Sequence, residues 1–155
     1  MKTLSTETKL KKQIWDACLV KQQALASTAK EAMDRAQESA NEERGSLEEK
    51  FESFREQLIR DRDMFARKLA EHITGIDTLR QIDTNRKFSS VQLGSVVITD
   101  KQKLFIAISL GEVKVGKESY FAISKQSPLF QQMDGKKAGE SFEFRGVQQS
   151  IKEVF

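Results

Sequence analysis

Acidic side chains crowd one short stretch of this chain. Ser39–Glu52 reads S-A-N-E-E-R-G-S-L-E-E-K-F-E, with Glu42 and Glu43 adjacent, Glu48, Glu49 and Glu52 following, and Gly45 between the two groups. Carboxylates in such numbers suit two roles. They can help hold a divalent cation, which prefers hard oxygen ligands, or they can simply keep a chain reversal soluble. On residue types alone the second role is the simpler one. Glu48 and Glu49 also favour a helix N-terminus through its dipole, and Ser46 with Glu49 has the spacing of a capping box. Elsewhere the sequence holds no nucleophile triad, glycine-rich phosphate loop or His/Cys metal set. The single His72 and the single Cys18 both fall on apolar stripes and read as packing residues. One cysteine excludes an internal disulfide and a cysteine-based zinc site.

The elements that must position these acids are helices. Residues 5–40 carry Leu10, Ile14, Cys18, Leu25, Ala29, Ala32, Ala36 and Ala40, mostly at three- and four-residue steps. Ser5 or Thr6 serves as N-cap. Residues 47–79 carry Phe51, Phe54, Leu58, Phe65, Leu69, His72, Ile76 and Leu79 at similar steps, interrupted by Arg62. At 1.5 Å per residue the second helix is roughly 50 Å long and is expected to project. Alanines of the first helix face phenylalanines of the second near the connection, and small-against-large layers pack closely. The connection is short, so the helices are expected to run antiparallel, as a coiled-coil hairpin over residues 1–79.

Residues 80–87 read as a polar linker, after which the period changes from 3.6 to 2. Six of the eight glycines and the only proline lie beyond it. Candidate strands are 91–98, 103–110, 112–115, 120–124, 141–145 and 147–155, with one short helix over 128–133 that starts on Pro128. The expected fold class is therefore α+β: a long helical hairpin followed by a small β domain, 88–155, with one short helix. Residues 1–86 balance sixteen basic against sixteen acidic side chains, so the net charge of +3 comes from the second half. That mild excess allows at most a weak DNA or RNA contact, since a dedicated binder concentrates its basic residues. The polar N-terminus and the lack of a long apolar run point to a cytoplasmic protein with no membrane contact.

The chain resembles the Gre family of bacterial transcription elongation factors. Leu93-Gly94-Ser95-Val96-Val97, Ile123-Ser124-Lys125-Gln126-Ser127-Pro128-Leu129, Met133-Asp134-Gly135-Lys136-Lys137-Ala138-Gly139-Glu140 and Ile151-Lys152-Glu153-Val154 follow the order and spacing of that family's FKBP-like C-terminal domain. Ala36-Gln37-Glu38 and Lys50-Phe51-Glu52-Ser53-Phe54-Arg55-Glu56-Gln57 are similar to the ends of its two coiled-coil helices. The resemblance implies a partner, RNA polymerase, whose secondary channel receives the hairpin. It also implies a dock at Ser127, Pro128 and Leu129. Tip carboxylates would then help hold a Mg²⁺ shared with the polymerase, beside the nascent RNA 3′ end, and stimulate cleavage of backtracked transcripts. In such two-metal chemistry a second cation stabilises the attacking and leaving oxygens. No intrinsic cofactor is implied, and the chain would complete an enzyme without being one.

Through this resemblance the catalytic candidates are Glu42 and Glu43, which are also the metal candidates, together with Asn41. The tip departs from the family pattern, which has an acid, two residues and then Glu-Asn. Aligned from the first helix, Asn41 and Arg44 fill the acidic slots; aligned back from Phe51, Arg44 and Leu47 do. Gln126 stands where an acid usually precedes the Ser-Pro. Two alternatives follow: a channel factor that regulates without cleavage, or a coiled-coil interaction or chaperone protein with no polymerase role. Prolyl isomerisation, which an FKBP-like domain brings to mind, does not follow from fold alone.

Overall fold

The Ser5 side chain starts the structure. Its Oγ accepts the Thr8 N–H at 3.1 Å, which caps helix α1 (Thr6–Glu42). The computed structural model describes residues 5–42 and 49–155, with the backbone alone at 49–51. Helix α2 runs from Glu49 to Arg80 and continues through Gly75 without a break. Six strands and a short helix follow: β1 (Val96–Thr99), β2 (Lys103–Ile106), β3 (Gly111–Val115), β4 (Glu118–Ile123), α3 (Pro128–Met133), β5 (Ser141–Phe144) and β6 (Val147–Val154). The α+β class and the order of elements agree with the sequence reading. Two compact units result: Met1–Lys21 with Asp77–Phe155, and Gln22–Ile76.

In the first unit the strands form one mixed sheet in the order β3-β4-β2-β1-β6-β5. Only β2 and β4 pair in parallel, because β3 intervenes in sequence and returns as the edge strand. Both faces of the sheet are covered, as the alternation of side chains requires. Val96, Phe105, Ala107, Tyr120 and Ala122 pack on one side with Ile14, Cys18, Leu79 and Ile82 from the helix ends and the connecting segment. Val97, Leu104, Ile106 and Ile151 pack on the other side with Leu129, Phe130 and Met133 of α3. Trp15 locks the helix ends together by donating its indole N–H to the Leu79 carbonyl at 2.7 Å.

The expected strand over 91–98 forms only from Val96. Gly94 turns the chain at φ +92°, and a Cβ there would meet Ile82 at 3.2 Å and Phe88 at 3.3 Å. Val91 instead exchanges backbone hydrogen bonds with the turn after α3, accepting from Gly135 and donating to Lys136. The β5–β6 hairpin closes on Arg145 and Gly146, both at positive φ (52° and 78°), as a type I′ turn demands.

A lysine lies in this core. Lys11 is 1% exposed; its Nζ donates to the Arg86 carbonyl at 2.7 Å and sits 4.8 Å from the Phe88 ring centroid. Burial pushes its ammonium down to about 8, against the pull of Asp83 and Glu7, with Lys87 adding to the depression. An unfolded lysine titrates near ~10.4. Between those values the unfolded chain holds a proton that the folded chain has released, so stability rises with pH across that window. Relative to a Lys11→Met variant, the wild type is expected to gain on the order of 3 kcal/mol between neutral pH and pH ~10.5. Urea denaturation of both proteins across that range measures it, and a pH-independent difference refutes it.

In the second unit the two helices form an antiparallel pair. Gln22 Nε2 donates to the His72 carbonyl at 2.9 Å, Arg62 Nη1 donates to Gln37 Oε1, and Arg55 Nε donates to the Ala40 carbonyl at 3.3 Å. The partner number falls as the first rises, which is the signature of antiparallel neighbours. Gln22, Ala26, Ala29, Ala36 and Ala40 are buried on α1. Arg55, Leu58, Arg62, Phe65, Leu69, His72 and Ile76 are their half-buried counterparts on α2.

This seam corrects the apolar stripes in two places. Leu25 is 39% and Phe54 52% exposed, while their neighbours Ala26 and Arg55 turn inward. Counting back from Leu58, the seam steps by three to Arg55, and Phe54 falls one position outside it. Arg62 is no interruption, since it occupies a seam position and bonds across it.

Candidate functional site

The last turns of α1 place the candidate residues. Asn41 and Glu42 are exposed at its C-terminal end, and Glu43 lies outside the described residues. The last turn contains no basic residue. A helix C-terminus carries the negative end of the macrodipole, so carboxylates there cost stability and cations gain it. Glu38 and Glu42 therefore sit where helix energetics disfavours them. The chain offsets part of this cost from the opposite helix, where Arg55 bonds the Ala40 carbonyl. Glu42→Lys is accordingly expected to raise the melting midpoint by about 1–2 °C, from about 0.5 kcal/mol of relieved dipole repulsion. Differential scanning calorimetry checks this, and a lowered midpoint contradicts it.

Asn41 is held by its own helix. Gln37 Nε2 donates to Asn41 Oδ1 at 2.9 Å, and the Gln37 oxygen receives Arg62 from α2. Arg62 is anchored in turn by Asp63, whose Oδ1 accepts Nη2 at 2.7 Å and Nε at 3.1 Å. Glu42 is exposed and has no hydrogen bond or ion pair among the described residues. Among those residues no three His, Cys, Asp or Glu side chains gather into a cation site. What Glu42 offers is one unengaged carboxylate. That fits a Mg²⁺ whose other ligands come from elsewhere, since this ion is commonly bound through one or two carboxylates, waters and phosphate oxygens.

The docking candidates lie in the first unit, at the start of α3. Ser127 is the N-cap residue, at φ −62° and ψ 134°, but makes no side-chain cap bond. Pro128 is exposed at the first helical turn, and Leu129 is 9% exposed within the core beneath α3. The surface at this corner is thus Lys125, Gln126 and Pro128, with Ser127 half-buried.

No family model matches this chain, and no curated protein matches it in sequence. Among solved structures it matches one titled as the structure of the transcription factor Gfh1. The two are 15% identical over 89% of this chain and 93% of that one, with a TM-score of 0.33. A likeness of that size does not by itself establish a shared fold.

The remaining reactive side chains serve packing. Cys18 is fully buried, and burial pushes its thiol up to about 12, so it stays protonated. His72 Nδ1 lies 3.4 Å from Gln22 Nε2, inside the helix seam. Sequence reasoning missed Gln22, Gln37, Arg55 and Arg62. Their signal was available: each falls at a three- or four-residue step from an apolar seam residue, but a stripe drawn through apolar residues alone passes over them. Among the described residues no helix is long and apolar enough to cross a membrane.

Proposed function

We propose that this chain is a Gre-like transcription elongation factor that binds RNA polymerase through its secondary channel and stimulates cleavage of backtracked transcripts. The observation that carries this reading is the placement of Glu38 and Glu42 at the C-terminal end of α1, without a basic residue in its last turn and, among the described residues, without an ion pair at Glu42. Residues kept where they cost helix stability are accounted for by a ligand they meet elsewhere. The antiparallel α1–α2 pair is the scaffold such a delivery needs, because a site on paired helices is held more precisely than one on a loop. The mixed sheet with α3 across it is read as the FKBP-like docking module, presenting Ser127 and Pro128 to the polymerase.

In this reading the polymerase supplies the catalytic centre and most ligands of a Mg²⁺ shared with the factor. That ion would stabilise charge on the attacking and leaving oxygens of the phosphodiester. Glu42, with Glu43, contributes carboxylate oxygens. Arg55 and the α1–α2 seam hold the end of α1 that carries Glu42. The factor alone is not a nuclease.

The test is a purified backtracked elongation complex from the same organism, incubated with Mg²⁺ and the full chain. Shortened transcripts support the reading. Binding to polymerase without shortening replaces it with a channel regulator that does not cleave. Failure to bind polymerase at low salt removes both.

A further inference from the structure

We propose that Arg62 and Gln37 form a relay that locks the Asn41 side chain with its NH₂ group outward, so that position 41 donates a hydrogen bond to a phosphodiester oxygen and is not a cation ligand. The geometry of the relay is independent of the proposed function; only the ligand rests on that reading.

The chemistry of the donors sets the orientation. An arginine guanidinium has five N–H donors and no acceptor. The Gln37 atom that faces Arg62 must therefore be its oxygen. Asp63 fixes the other edge of the guanidinium, so Arg62 does not swing away. With its oxygen committed, Gln37 turns its NH₂ toward Asn41 one helical turn on, where the facing atom must be an acceptor. Asn41 Oδ1 is thus engaged at 2.9 Å, and Asn41 Nδ2 is left exposed with no partner among the described residues. Four residues on two helices fix which end of one amide meets a ligand.

An outward NH₂ cannot ligate a cation, which requires a lone pair. Its complement is an oxygen acceptor. The adjacent Glu42 carboxylate repels a free anion, but it tolerates an oxygen whose charge is shared with a cation. A metal-bound phosphodiester oxygen has that character. Asn41 and Glu42, adjacent in sequence at the helix end, then divide the work: the carboxylate serves the cation and the amide serves the phosphodiester. Gln37 and Arg62 are positioning residues.

Gln37→Glu tests the relay at nearly constant shape. Glutamate keeps the Arg62 contact but offers only acceptors, so Asn41 must rotate to donate and its Oδ1 turns outward. Side-chain amide NMR of the full chain reads this directly. In the wild type the Gln37 NH₂ shows the slowed exchange of a bonded amide and the Asn41 NH₂ exchanges freely. In Gln37→Glu the Asn41 NH₂ becomes the slowed one. A bonded Asn41 NH₂ in the wild type, or no change in the variant, overturns the relay whatever the polymerase assay shows.

The ligand is tested by transcript cleavage. Gln37→Glu and Asn41→Ala are each expected to lower the maximal rate about 10-fold. The half-saturating factor concentration should stay unchanged, a split that a merely structural defect would not give. Full cleavage by Gln37→Glu, with the amide shown to have rotated, overturns the phosphodiester assignment. Absence of cleavage with the wild type overturns the proposed function and the ligand together, and leaves the relay to the NMR result.

Discussion

Glu42→Ala/Glu43→Ala is expected to reduce stimulated transcript cleavage by about 10²-fold or more, while polymerase binding persists. The two carboxylates supply charge that matters only where a cation and a reacting phosphodiester meet, so their loss falls on the rate and not on affinity. Stability moves the other way. Removing Glu42 relieves repulsion at the end of α1, so the variant should melt no lower than the wild type. This pairing separates loss of chemistry from loss of fold. Single-turnover cleavage of a backtracked complex, with a titration of factor, measures both rate and affinity. Cleavage that survives the double substitution assigns the chemistry elsewhere.

Phe105→Ala is expected to destabilise the first unit by about 3–5 kcal/mol. Phe105 is fully buried in a central strand, opposite Val96 on β1 and Ala122 on β4. Its ring shares one cluster with Ile14 and Cys18 of α1 and with Leu79 of α2. A cavity there is bounded by paired strands and packed helix ends, which limits collapse around it. A domain of ordinary stability holds roughly 5–15 kcal/mol, so this one change consumes much of the margin. Urea denaturation followed by Trp15 fluorescence reports it, because Trp15 packs against the same cluster. A loss below about 1 kcal/mol would mean that this core is less closely packed than it looks.

The order of elements was legible in the sequence because local periodicity and breakers decide it. Helix α1 starts and helix α2 ends within one residue of the expected limits, and every expected strand from 103 onward overlaps an observed one. The exception, 91–95, is apolar enough for a strand, but Gly94 must turn against Ile82 and Phe88, and that contact is tertiary. Cys18 and His72 were likewise readable as packing residues from their places on a stripe.

What the sequence could not determine is which polar residues lie inside. Lys11 reads as one more charge on an exposed helix face, yet it is buried against Arg86, Phe88 and Phe155 from the far part of the chain. Gln22, Arg55 and Arg62 read as polar, and became seam residues only once α2 supplied their partners on α1, or α1 theirs on α2. The same holds for the candidate site. The sequence alone marked Asn41 and Glu42 as acid-rich punctuation at a chain reversal. Their exposure at an unfavourable helix end, and the orientation of the Asn41 amide, depend on an arginine 21 positions away. Periodicity is a property of neighbours along the chain, whereas the burial and bonding of a polar group depend on what the fold brings opposite it.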